Sequence, residues 1–336
     1  MLFISAINPL YSEDNDKRYA FSIEPNAGFI LGQSLEVVYP TAGYHNGALL
    51  SELKWDMKPV FYFGIKADFG RRDPMSALGF FSSLSFKAGI PGVSGKMEDR
   101  DWQSSENDAL TNFSSHTNIT DAFFWADLSI GASFPVLSIL YIKPFLSGSW
   151  MHFAFTGRDG YGKYARANGC TLDCTLTYKA PGCTSNHSTS NKPYYPIDYY
   201  PYDYSFDGQE VIHYQQDWLI AALGFTLGTK ILSPFLFELT FQISPFAYCI
   251  AVDEHISRNI LFYDYSSFGL FLEPSGKFSF LLKNFCFSLE AAYRYINLTK
   301  GQSYYKSTGS ETFNKSGEAG AGLHFLDVRL LFKYQF

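Results

Sequence analysis

The stretch Leu323–Phe336, "LHFLDVRLLFKYQF", decides the fold class. Its apolar side chains take every second position: Leu326, Val328, Leu330, Phe332, Tyr334 and Phe336. The positions between them hold a mostly polar set: Asp327, Arg329, Leu331, Lys333 and Gln335. A period of two predicts a β-strand with one apolar and one polar face. A strand at the edge of a soluble sheet can show the same pattern, so the rest of the chain must decide what the apolar face contacts.

The composition favours a membrane contact for that face. Of the 336 residues, 18% are aromatic and 17% charged, with 24 Tyr, 33 Phe and 27 Gly. The mean hydropathy of −0.08 is too low for a helical membrane protein. In a transmembrane β-barrel, lipid-facing apolar residues alternate with polar lumen residues, and the two sets average out. The net charge of −6 gives no electrostatic basis for nucleic-acid binding.

A second stretch, "FCFSLEAAYRYINL" at Phe285–Leu298, repeats the alternation. Its polar side carries both Glu290 and Arg294, which fits a wet barrel interior better than a sealed core. A strand that ends in Phe336 also resembles the C-terminal strand of outer-membrane barrels.

Two apolar stretches could be mistaken for membrane helices. They are "AFFWADLSIGASFPVLSILYI" at Ala122–Ile142 and "WLIAALGFTLGTKILSPFLFELTF" at Trp218–Phe241. Pro135 or Pro234 interrupts each one, and neither holds the run of about 18 apolar residues that a spanning helix needs. We therefore predict two β-hairpins here.

Short turns and long polar loops divide the chain into strands. They predict an all-β fold, a ten-stranded antiparallel transmembrane β-barrel formed by residues 19–336. Residues 1–18 are interpreted as the remnant of a secretory signal, with a disordered N-terminus as the alternative. Short turns on one side and long loops on the other indicate a bacterial outer-membrane barrel. The predicted strands are 20–34, 51–68, 76–90, 120–133, 139–157, 212–230, 235–251, 262–280, 285–299 and 318–336. The predicted long loops are 35–50, 91–119, 158–211, 252–261 and 300–317.

The loop 158–211 contains three of the five cysteines, Cys170, Cys174 and Cys183. Cysteines in a polar segment indicate an oxidising compartment, so we expect a disulfide between two of them, with no pairing implied. Their spacing with His187 is also compatible with a zinc site.

Two acidic motifs follow predicted strands on the long-loop side. "KMEDRDWQ" at Lys96–Gln103 contains Asp99 and Asp101, and "VDEHIS" at Val252–Ser257 contains Asp253 and His255. In extended backbone, residues two apart face the same way. An Asp beside a His stabilises the protonated ring, and two facing carboxylates can share a proton. Together they predict peptide hydrolysis by an activated water, although each motif alone is common.

The order and placement of these motifs resemble the omptin family of outer-membrane proteases. "MEDRDW" matches the Asp-x-Asp-Trp of that family, and "VDEHIS" matches its Asp-Glu-His. Further matches are "EVVY" at Glu36–Tyr39, "SELKW" at Ser51–Trp55, His116, "FTGRDG" at Phe155–Gly160 and the terminal Phe336.

The resemblance implies a role for each matching residue. Asp253 and His255 would form the dyad, with His255 as general base. Asp99 and Asp101 would hold the attacking water and stabilise the oxyanion. Glu36 would bind the basic side chain before the scissile bond. The family comparison thus implies a monomeric endopeptidase of the outer membrane that cleaves peptides or proteins at basic residues, without a metal or an organic cofactor.

Some positions depart from the family pattern. Ala251 stands where the family has a second acid in the same pocket, so a pocket with one charge and altered selectivity is expected. His152 and Asp217 stand where the family has lipopolysaccharide-binding arginines, and Asn112 replaces an acid on the far side of the cleft. The alternative readings are a non-enzymatic outer-membrane barrel, either an adhesin or a small porin, and a soluble β-sandwich.

Overall fold

The computed structural model describes residues 19–40, 49–104, 108–165 and 202–336. The predicted signal remnant lies outside these residues. The residues of the predicted disulfide and of the alternative zinc site also lie outside the described residues: Cys170, Cys174, Cys183 and His187.

The described residues form β-strands joined by turns and one 3₁₀ turn. The strands are β1 Tyr19–Val38, β2 Ser51–Arg71, β3 Gly79–Gly89, β4 Gly92–Asp101, β5 Asn112–Leu137, β6 Leu140–Tyr164, β7 Tyr202–Ser205, β8 Glu210–Leu232, β9 Phe235–His255, β10 Ile260–Leu282, β11 Phe285–Ile296, β12 Lys300–Ser307 and β13 Asn314–Gln335.

The sheet closes on itself because β1 pairs with both β2 and β13. Strands β3 and β4 follow one another between β2 and β5, so they act as one interrupted strand of the ring. Strands β11 and β12 do the same between β10 and β13. The short strand β7 pairs with the upper part of β6. The prediction of a closed antiparallel barrel with ten strands is confirmed.

An outer belt of exposed apolar side chains surrounds the lower part of the barrel. On β13, Leu326, Leu330 and Phe332 are exposed, whereas Phe325 and Asp327 between them are buried. The terminal strand therefore turns its apolar face outwards, as its alternation predicts. We take the strand segments that carry this belt as membrane-spanning.

The two apolar stretches that could be mistaken for membrane helices form β-hairpins, as predicted. Pro135 lies two residues before the end of β5 at Leu137, and Pro234 lies in the turn between β8 and β9. None of the described residues forms a helix long and apolar enough to cross a membrane.

Ion pairs fill the lumen within the membrane-spanning part. Lys87 Nζ lies 2.9 Å from Asp327 Oδ2, and Arg329 bridges Asp327 and Glu290 at 2.6 and 2.7 Å. Arg294 pairs with Glu273. Glu290 and Arg294 therefore face inwards, as predicted, and each buried charge has a partner that offsets its desolvation.

An aromatic layer lies above these ion pairs and is fully buried. Arg294 lies beneath it, with its guanidinium carbon 3.9 Å from the centre of the Trp125 ring. The rings of Phe123 and Phe153 stack at 5.0 Å, and those of Trp55 and Phe155 at 5.7 Å. Because side chains of the described residues fill the lumen at this level, the fold argues against the porin alternative.

The strands extend further above the belt than predicted. Most of the predicted loops 91–119, 252–261 and 300–317 is strand, in β4, the ends of β5, β9 and β10, and β12. Glu36 belongs to β1 and not to a loop. Above the membrane, outward side chains meet water and need not be apolar, so the alternation that marks the strands stops while their hydrogen bonding continues.

Candidate active site

The candidate residues lie in the lumen above the aromatic layer. Leu53 on β2 is the register partner of Glu36 on β1 and of Asp99 on β4. These three residues thus form one row across neighbouring strands. Beyond the belt, Glu36 lies five residues above the exposed Leu31, and Asp253 lies seven residues above the exposed Phe246.

Two neighbouring strands supply partners for the acid pair of β4. Ser51 Oγ donates to Asp99 Oδ1 at 3.2 Å, and Asn112 Nδ2 donates to Asp101 Oδ2 at 3.1 Å. Asp99 is partly buried and Asp101 is buried. Both face the lumen because positions two apart on a strand share a face. Asn112, a departure from the family pattern, thus holds one of the candidate carboxylates in place.

The other pair lies at the end of β9. Asp253 Oδ2 is 2.7 Å from His255 Nε2. Asp253 is 3% exposed in its side chain and His255 is 15% exposed. Past His255, the 3₁₀ turn Ile256–Arg258 and a left-handed Asn259 (φ 54°) lead the chain back into β10. With Nε2 bound to Asp253, Nδ1 is the ring nitrogen that can accept a proton.

Electrostatics connect the two pairs across the cleft. Burial raises the pKa of Asp99 well above its ordinary value, and the charge of Asp101 raises it further. Asp253 raises it too, whereas Arg258 in the 3₁₀ turn lowers it. Asp99 is therefore within interaction range of groups on β9 and the turn beyond it. The raised pKa favours the protonated form of this carboxyl group, in which it can donate a hydrogen bond.

Glu36 lies at the base of the same cleft and is 2% exposed. Burial raises the pKa of its carboxyl group well above the ordinary value, and the charges of Asp253, Asp264 and Asp99 raise it further. Its Oε2 atom is buried without a hydrogen-bond partner among the described residues. Glu36 is therefore a buried residue of the lumen and not a solvated residue at the rim of the barrel.

Asp264 on β10 is an acid that the sequence analysis did not single out. It is the register partner of Ala251 and is 5% exposed. The charge of Asp264 raises the pKa of Glu36, so a second acid lies near the predicted pocket, and the single charge of that pocket stays a prediction. A signal was present: counting back along both strands from the turn between His255 and Ile260 pairs Ala251 with Asp264.

Aromatic rings form the floor beneath these acids. Trp55 stacks on Tyr214 with a ring separation of 5.3 Å. Gln216 Nε2 donates to the Tyr214 hydroxyl at 2.7 Å, which fixes that ring. The floor offers apolar surface to the methylene groups of a long side chain.

His116, which fits the family spacing, is buried and lies in the same cross-strand row as Trp55 and Met97. Its Nε2 is 2.8 Å from Ser114 Oγ, and its Nδ1 is 2.7 Å from the Asp159 carbonyl oxygen. Burial lowers the pKa of the ring. With both nitrogens occupied by local partners, His116 supports the sheet beside the acid pair.

His152 and Asp217, which stand where the family has arginines, lie on the outer face at the upper edge of the belt. His152 and Asp217 are register partners, with His152 Nδ1 3.0 Å from Asp217 Oδ1. Trp150 Nε1 donates to the same oxygen at 3.2 Å. The three side chains satisfy one another and present no arginine to a lipid phosphate.

No group of three or more His, Cys, Asp or Glu side chains suited to a metal ion occurs in the described part of the chain. The candidate side chains Asp99, Asp101, Asp253 and His255 can transfer protons and form hydrogen bonds to a water.

Comparison with known proteins identifies the family of the chain and a solved structure with a similar fold. The Omptin family model matches residues 17–179 and 194–336. Among curated proteins, none matches. Outer membrane protease OmpT from Escherichia coli is similar in structure at 17% identity, covering 94% of this chain and 97% of that chain with a TM-score of 0.73.

Two other barrels are much less similar. A major outer membrane protein from Thermus thermophilus has 10% identity, covers 95% of this chain and 100% of that chain, and has a TM-score of 0.30. The translocator domain of autotransporter NalP from Neisseria meningitidis has 9% identity, covers 96% of this chain and 90% of that chain, and has a TM-score of 0.33. Both scores are too low to bear on the fold.

Proposed function

Because this chain belongs to the omptin family and is an outer-membrane protease, we propose that it is an endopeptidase that activates water with Asp253 and His255. One observation supports the proposal: Asp253, which lies 2.7 Å from His255, also raises the pKa of Asp99, so the two pairs lie near each other in the lumen. The substrates are peptides or proteins at the cell surface with basic residues at the cleavage site, and the enzyme acts as a monomer without a cofactor.

The mechanism begins with a water held between the two pairs. His255 Nδ1 takes a proton from this water as its oxygen attacks the peptide carbonyl carbon. Asp253 accepts the hydrogen bond from Nε2 and stabilises the resulting imidazolium. Asp99, whose protonated form is favoured by its raised pKa, donates a hydrogen bond to the developing oxyanion. The imidazolium then returns its proton to the leaving amine, which breaks the carbon–nitrogen bond.

Glu36 binds the side chain that precedes the scissile bond. Its unpartnered Oε2 is the acceptor for an arginine or lysine. A guanidinium can bind a carboxylate with two parallel hydrogen bonds and an ammonium cannot, so arginine is preferred over lysine.

Glu36→Gln is expected to lower kcat/KM for a peptide with arginine before the scissile bond by about 10- to 100-fold, the range for a lost hydrogen bond to a charged group. The same peptide with citrulline in place of arginine should be little affected. Fluorogenic peptides that differ only at this residue provide the measurement. A profile that is indifferent to basic residues in both proteins would show that Glu36 does not select the substrate.

Activity is also expected not to depend on lipopolysaccharide. His152 and Asp217 satisfy each other on the outer face where the family has two arginines, so no cation is supplied to a lipid phosphate there. Refolded protein in detergent should have the same kcat/KM with and without added lipopolysaccharide. Strong activation by the lipid would mean that other residues bind it.

A further inference from the structure

We propose that Asp264 supplies the second negative charge of the pocket for the basic side chain, from the strand beside the one that carries Ala251. This inference rests on the proposed peptidase function and adds to it a residue that determines specificity.

The strand register gives the placement. Asp264 on β10 is the partner of Ala251 on β9 and of Ser303 on β12. Side chains of directly opposed residues leave the same face of a sheet with their Cβ atoms about 5 Å apart. The small side chain of Ala251 leaves room beside it. The carboxylate of Asp264 therefore reaches the part of the lumen that an acid at position 251 would occupy.

The acid groups in the pocket are buried and incompletely paired. Oδ1 of Asp264 and Oε2 of Glu36 have no hydrogen-bond partner among the described residues. The Ser303 hydroxyl group interacts with the Asp264 carboxyl group and favours its charged form. A buried acceptor without a partner costs free energy, so two of them in one pocket create a demand for a donor with positive charge.

A guanidinium or an ammonium group on an extended side chain meets this demand. Its charge lies between Glu36 and Asp264, and its methylene groups lie on the Trp55–Tyr214 floor. A neutral donor such as citrulline satisfies the hydrogen bonds but not the charges. The pocket therefore selects for charge and not only for shape.

The selection should depend on pH. Burial raises the pKa of Asp264 to about 7, and Asp253 contributes to the rise. The groups that interact with Asp264 are themselves acids: Glu36, Asp253, the Cys249 thiol and the Tyr214 hydroxyl. Below its pKa the carboxyl group is neutral, so the preference for arginine over citrulline should rise as pH increases through this value.

Asp264→Asn tests the proposal because it keeps the shape and removes the charge. We expect kcat/KM for the arginine peptide to fall by about 10- to 100-fold and the citrulline peptide to be unaffected. The rise in preference near neutral pH should disappear. Asp121→Asn, an exposed acid on the outer face, is the matched control and should leave both peptides unchanged.

A second variant returns the charge from the other strand. Ala251→Asp combined with Asp264→Ala should recover most of the arginine preference that Asp264→Ala alone loses, because the acid enters the same part of the pocket. If Asp264→Asn keeps the arginine-to-citrulline ratio of the starting protein, or the swap recovers nothing, Asp264 is a buried structural acid and the proposal is wrong.

Binding separates this proposal from the proposed peptidase function. An arginine peptide with an N-methylated bond after the arginine, and its citrulline counterpart, can be titrated into each variant. Tighter binding of arginine that Asp264→Asn abolishes supports the pocket even if no peptide is cleaved, in which case the peptidase function alone fails. Equal binding of the two peptides by the unchanged protein overturns the pocket, whether or not other peptides are cleaved.

Discussion

The His255→Ala variant is expected to cleave an arginine peptide about 10²- to 10⁴-fold more slowly, the range for loss of a general base. The reason is that Nδ1 of His255 is the proton acceptor in the dyad, with Nε2 held by Asp253 at 2.7 Å. Asp253→Asn should also lose activity, because an amide can hold the ring but cannot stabilise its protonated form.

His213→Ala is the matched control for that variant. His213 lies at the same end of the barrel, on the outer face, with its Nδ1 3.2 Å from Glu254 Oε2. Its removal should leave kcat/KM unchanged. Both proteins should migrate on gels as folded, heat-modifiable barrels. If His255→Ala cleaves at the rate of the unchanged protein, the dyad assignment is wrong.

Replacing the acid pair should have a comparable effect. Asp99→Ala combined with Asp101→Ala is expected to abolish measurable cleavage, because the water loses the groups that hold it and the oxyanion loses its donor. Loss of a single oxyanion donor alone costs about 10²- to 10³-fold in kcat. Asp99→Asn should retain more activity than Asp99→Ala, since an amide can still donate a hydrogen bond.

A neighbouring acid on the opposite face of β4 provides the control for this variant. Glu98 pairs with Arg100 at 2.6 Å, outside the lumen. Glu98→Gln changes a carboxylate one residue from Asp99 and should leave kcat/KM unchanged. A double variant of Asp99 and Asp101 that remains folded and active would remove the acid pair from the mechanism.

The sequence predicted the membrane-spanning part of the barrel well. The outward residues of β13 and β11 contact lipid, so their apolar character follows a period of two that can be read directly. The lumen charges Glu290 and Arg294 were predicted to face inwards for the same reason, and they do.

The upper strands were harder to predict. Above the belt, the outer face of β4 carries Glu98 and Arg100, which water solvates as readily as it solvates a loop. No apolar period marks such a strand, and the segment therefore resembled a loop. The prediction that Glu36 lies in a loop was also wrong, because β1 continues to Val38.

A prediction of where Asp264 lies depends on the pairing of two strands and not on any local pattern. Its proposed role follows from its position opposite Ala251 on β9 and β10, and bulges interrupt that ladder between Ser266 and Phe271. A count from the membrane side of the hairpin would miss the partner by the residues in those bulges. Only the structure brings Asp264 and Glu36, which are far apart in sequence, near each other in the lumen.

The central claim, a protease whose base is His255, is tested most directly by cleavage of a mixed peptide library. Purified, refolded protein and its His255→Ala variant would be incubated with the library, and the new termini identified by mass spectrometry. We expect new termini after arginine and lysine with the unchanged protein and almost none with the variant. Cleavage at the same sites and rates by both proteins, or by neither, would contradict it.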